Sequence, residues 1–99
     1  MDTPFGDWWH EVIVLTPLAF DEGLKAVLSV RQQHTVVLNL SRMEPALAQR
    51  TADFVIGGVV ALDGHHARLG ENVFLFAPSL VAIKKLQNTT LSEQLGNEL

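Results

Sequence analysis

His65 and His66 stand side by side, and an adjacent histidine pair is the first candidate for a metal site. Successive side chains of a strand point to opposite faces, so the two are poorly placed to chelate one ion. His10 and His34 have no sequence relation to the pair, and solvated histidines flanking a turn are the simpler reading. Cysteine is absent, which removes disulfides, thiol nucleophiles and thiolate ligands and suits a cytoplasmic protein. Glu11 has no visible partner, and Asp21-Glu22 fit the first turn of a helix, where the dipole favours carboxylates. Ser29, Ser41 and Ser79 lack the G-x-S-x-G context of a nucleophile elbow. Gly57-Gly58 follow a helix instead of opening one, and no G-K-[ST] accompanies them, so they are no phosphate loop. Nothing assembles a nucleophile, a base and an orienting group. No enzyme activity, cofactor or metal is expected.

Arg68 and Phe74 are the remaining pair of interest. In a strand over 65–69, His66 and Arg68 share one face and Ala67 and Leu69 the other. A strand over 72–77 pairs back antiparallel and sets Phe74 beside Arg68. Arginine offers a planar charged fork for carboxylates, and an exposed phenylalanine offers an apolar anchor. The alternative is a surface arginine lying over core aromatics.

The elements that must position this pair follow from periodicity. Glu11–Thr16 is a β-branched run closed by Pro17. Phe20, Leu24, Val27, Leu28 and Arg31 recur at helical spacing. Thr35–Leu40 is a second buried-type strand, so strand, helix and strand imply a crossover between parallel strands. Pro45 suits the first position of a second helix, with Leu47, Ala48, Thr51, Phe54 and Val55 as its apolar stripe and Gly57-Gly58 as its end. Val59–Pro78 reads as three short strands on two turns, Asp63-Gly64 being a hairpin signal. Leu80–Ile83 would add a short edge strand. The expectation is an α/β (α+β) two-layer sandwich, a mixed sheet of about five strands with two helices in the order β-α-β-α-β-β-β.

At 99 residues and 47% apolar, the chain is one folded domain. It divides into a lead-in at 1–10, a core at 11–85 and a polar tail at 86–99. The net charge of −4 argues against nucleic acid or an anionic membrane as a direct partner. No apolar run approaches the ~20 residues of a membrane helix, and no signal peptide is expected. Val73–Ala77 is apolar at every position. If both helices cover one face of the sheet, the other face is left as a patch that calls for a partner.

Several segments taken together resemble the core domain of SepF, a bacterial cell-division family that anchors the tubulin-like FtsZ ring to the membrane. They are Glu11–Leu15, Phe20-Asp21-Glu22, Val36–Leu40, Ala48-Gln49-Arg50, Asp53-Phe54, Gly57, Ala61–Gly64 and Arg68–Leu75. The resemblance spans about residues 11 to 83. It implies a homodimer able to assemble further, and binding of the FtsZ C-terminal tail in the cytoplasm at the division septum. It places Arg68 and Phe74 at positions that take part in tail binding and Gly57 at a position of self-association. The family's N-terminal amphipathic helix and acidic linker are missing, so membrane contact is expected only through a segment absent from this chain. Ala19 in place of a polar helix cap, the apolar Val55-Ile56 and the pair His65-His66 also depart from the family pattern. A different class of function, a small-molecule-sensing dimeric α/β regulatory domain, would need a closed polar-lined pocket. Asn39, the one polar residue inside a buried-type strand, is its best candidate.

Overall fold

The computed structural model describes residues 11–84 and 86. The expected lead-in at 1–10 and all of the expected tail at 86–99 except Leu86 lie outside the described residues. Four strands form one mixed sheet: β1 (Val12–Leu15), β2 (Thr35–Asn39), β3 (His65–Arg68) and β4 (Val73–Ala77), in the order β1-β2-β4-β3. β1 and β2 are parallel with Val12 opposite Thr35, and α1 (Gly23–Arg31) is the crossover between them. β4 runs antiparallel to both β2 and β3. The all-apolar β4 is therefore central, and the polar β3 is an edge, where unpaired backbone groups are best left among polar side chains.

The period of two sorts the side chains. Val36, Leu38, Phe74 and Phe76 point to the helix layer and are buried, with Ile13 and Leu15 packed beside them. On the opposite face Val12 and Val14 are exposed, while Val37, Val73 and Leu75 are half-buried. The two helices cover one face only, as the patterning implied.

α2 (Pro45–Ala61) starts where Pro45 places it. Glu44 caps it by accepting the Ala46 N–H at 3.2 Å. Its inward row is Ala48, Thr51, Ala52, Val55 and Val59. Thr51 is fully buried and satisfies its hydroxyl by donating to the Leu47 carbonyl at 2.8 Å. α1 buries Gly23, Ala26 and Val30. Its larger residues Leu24 and Leu28 are exposed, as is Phe54 of α2, so three members of the expected apolar stripes face outward. Phe20, in a 3₁₀ turn over Phe20–Glu22, packs against Phe54 with ring centroids 5.3 Å apart and planes tilted by 51°. That turn carries no side-chain cap from Ala19, but Glu22 accepts the Leu18 N–H at 2.9 Å.

The stretch after the glycine pair differs from the expected three strands. α2 continues through Gly57-Gly58 to Ala61, so Val59–Leu62 is helix and cap instead of strand. Two glycines cost about 1 kcal/mol each in a helix, and burying Val59, one turn beyond Val55 and at 0% exposure, offsets this by ~1.5–3 kcal/mol. Asp63-Gly64 then makes the helix-to-strand turn and no hairpin: Asp63 adopts φ 59° and the Gly64 N–H donates to the Val59 carbonyl at 2.8 Å. The chain passes so close here that a Cβ on Gly64 would sit 2.7 Å from Val59 Cγ1 and 2.8 Å from the Ala77 carbonyl oxygen. Leu80–Ile83 forms no strand, and Leu80 stands exposed after Pro78. Among the described residues the sheet thus has four strands where about five were expected, within the same two-layer α+β fold.

Candidate functional site

Arg68 ends β3 and Phe74 lies directly opposite it on β4. Both side chains fall on the helix side of the sheet. The guanidinium carbon sits 5.6 Å from the Phe74 ring centroid, within cation–π range. Phe74 in turn stacks on Phe76 at 6.2 Å with planes 17° apart. Phe74 is only 9% exposed, so it is part of the core and not the exposed anchor that alternation suggested. The reason is β4's central position: β2 and β3 flank the ring's strand, Phe76 packs beside it, and Ala48 and Ala52 of α2 face it across a cleft.

The hairpin between these strands is tightly framed. Leu69 N–H donates to the Val73 carbonyl at 2.8 Å, Gly70 N–H to the same oxygen at 3.2 Å, and Leu40 N–H to the Asn72 carbonyl at 2.7 Å. Arg68 folds back on this turn, its Nε donating to the Gly70 carbonyl at 3.0 Å and its Nη2 to the Glu71 carbonyl at 2.6 Å. Between the turn and the first two turns of α2 runs a groove with a cavity of about 150 Å³, lined by Arg68, Phe74, Leu40, Pro45, Ala48 and Ala52, with Gln49, Glu71 and Asn72 completing it. Ala48 and Ala52 keep the helix wall low over Phe74. Sequence reasoning missed this wall, because Ala48 read as part of the apolar stripe and Ala52 was not singled out. The four-residue spacing from Ala48 to Ala52, opposite an aromatic, was the available signal.

Gly57 lies further along α2, outside the groove. A Cβ there would meet nothing within 4 Å, whereas one on Gly58 would meet Val27 at 2.8 Å. Gly58 is thus the packing glycine, and Gly57 opens to the surface. The other candidates take structural places. His65 Nε2 lies 3.1 Å from the Ser79 carbonyl oxygen, and the His66 ring lies 6.5 Å from that of Phe76. Among the described residues no group of three or more His, Asp or Glu is placed to hold a metal ion. Asn39 accepts the Ser41 N–H at 3.0 Å in a turn that ends β2, which accounts for a polar residue there. A second cavity of about 160 Å³ lies at the end of β1, between Thr16, Pro17, Glu22 and Lys25. No helix among the described residues is long and apolar enough to cross a membrane.

Fold and groove define a small two-layer α+β domain with, among the described residues, one face of its sheet left open and a shallow cleft where α2 meets the last hairpin. Its relatives are specific. The family model described as cell division protein SepF matches residues 12–83. The chain is 52% identical over 73 residues to the cell division protein SepF of Synechococcus sp. (strain JA-3-3Ab), covering 74% of this chain and 39% of that protein. It is 53% identical over 73 residues to that of Prochlorococcus marinus (strain MIT 9211), covering 74% of this chain and 38% of that protein. Among solved structures, the SepF-like protein from Pyrococcus furiosus superposes with a TM-score of 0.67 at 12% identity, over 77% of this chain and 95% of that one, a likeness of fold. This chain belongs to the SepF family of cell division proteins, and spans about two-fifths of the length of the curated relatives it matches.

Proposed function

We propose that this domain is a division-machinery adaptor that binds the C-terminal tail of FtsZ in the groove between α2 and the β3–β4 hairpin, and so helps to tether and organise the FtsZ ring at the septum. The observation that carries the reading is the meeting of Arg68 and Phe74 in one cleft beside a low alanine wall. The cleft offers a charged fork and an apolar floor to a short extended peptide. Its roughly 150 Å³ falls below the ~300–1,000 Å³ usual for small-molecule pockets, which favours a peptide side chain over a metabolite.

Self-association belongs to the same reading. Val12 and Val14 stand exposed on the open sheet face, and Leu24, Leu28 and Phe54 on the helix face beside the outward-facing Gly57. Two apolar faces on one small domain support a dimer that can extend further. Weak single contacts to a polymer of FtsZ then add up through avidity.

The test is a calorimetric titration with a synthetic FtsZ C-terminal tail peptide, using the wild-type domain, Arg68→Glu and Phe74→Leu. Saturable binding that Arg68→Glu abolishes in a folded protein is the expected result. Equal binding by Arg68→Glu would remove Arg68 from the site. Analytical ultracentrifugation of Val14→Lys and Gly57→Lys tests the two association faces separately.

A further inference from the structure

We infer that the β3–β4 turn holds the Arg68 guanidinium in place before any peptide arrives, so that the groove depends on arginine's planar fork and not on positive charge alone. The inference rests on the tail-binding reading of the groove and adds a specificity determinant to it. Two consecutive carbonyls of the turn, Gly70 and Glu71, accept from Nε at 3.0 Å and Nη2 at 2.6 Å. They are carbonyls of a frame already pinned by the bonds from Leu69, Gly70 and Leu40. The guanidinium is also set over the ring of Phe74, itself buried and stacked on Phe76.

A long surface side chain normally loses rotamer freedom when it binds, and that cost weakens binding. Here the ordering accompanies folding. Lysine cannot reproduce the arrangement, because a single ammonium on a flexible stem does not span two carbonyls with a planar fork while staying within cation–π reach of a ring. Arg68→Lys should therefore bind the tail peptide about tenfold more weakly, near the upper end of what immobilising one long side chain costs, and should regain only a minor part of the affinity lost in Arg68→Ala.

Two measurements test this. The first is the Nε–Hε resonance of Arg68 in the peptide-free domain, assigned by its loss in Arg68→Lys and compared with the exposed Arg42. The second is titration of wild type, Arg68→Lys and Arg68→Ala with the FtsZ tail peptide, after circular dichroism has established that each variant is folded. Slow solvent exchange at Arg68 Nε–Hε, with weak binding by Arg68→Lys, is the expected pair of results. Exchange as fast as that of Arg42, or Arg68→Lys binding within twofold of wild type, overturns the inference. Slow exchange in a wild-type domain that binds no peptide would overturn the tail-binding reading and leave the held guanidinium standing.

Discussion

The glycine pair in α2 offers a sharp test of the packing, because identical substitutions at adjacent positions should have opposite effects. Gly57→Ala places a methyl in open space. It should gain the helix propensity difference of about 1 kcal/mol. Gly58→Ala carries the same propensity gain, but its Cβ would lie 2.8 and 3.0 Å from the two methyls of Val27. Ordinary carbon contacts need ~3.5–4.0 Å, so Val27 or the helix axis must give by close to an ångström. Val27 is β-branched and stiff about χ1, and overpacking of this kind costs ~1–3 kcal/mol. The net effect at Gly58 is then about 0–2 kcal/mol of destabilisation. In a domain this small, 1 kcal/mol moves the melting temperature by ~4–8 °C. Urea unfolding followed by circular dichroism at low micromolar protein should place Gly57→Ala above wild type and Gly58→Ala at or below it. A Val27→Ala background should relieve the clash, so that Gly58→Ala becomes more favourable there than in wild type. If Gly58→Ala stabilises as much as Gly57→Ala, with no coupling to Val27, the close approach of α1 to α2 is wrong.

Other expectations follow from the same reasoning. Phe74→Ala should cost about 3–5 kcal/mol, because the ring is buried over Phe76; thermal melts should find it largely unfolded. Phe74→Leu, at about 1 kcal/mol, is therefore the variant for binding work. Gly64→Ala sets a Cβ against a backbone carbonyl, and a loss of about 2–3 kcal/mol in urea unfolding is expected. Gln33 adopts φ 73° beyond α1. A glycine there removes a left-handed penalty of ~1–2 kcal/mol against ~0.5–1 kcal/mol of added chain entropy, and melting should rise by a few degrees.

The two-layer class, the parallel pairing of β1 with β2, the start of α2 at Pro45 and the one-sided cover of the sheet were all legible in the chain. Each follows from a local signal: β-branched runs, a proline with fixed φ, or apolar residues at a period of two. Arg68 and Phe74 were legible as neighbours for the same reason, since strand alternation and a short turn leave them little choice. Packing between distant elements set the rest. Whether Gly57-Gly58 stop a helix depends on whether the valines beyond them find a core, and Val59 does. Whether Leu24 and Leu28 or Ala26 and Val30 face inward depends on how closely α1 approaches α2, which Gly58 permits. Whether Phe74 is an exposed anchor or a buried floor depends on how near α2 brings Ala48 and Ala52 to it. Local periodicity says which side chains share a face. Which face is covered is another matter, because burial is a property of surfaces brought together and not of the chain that carries them.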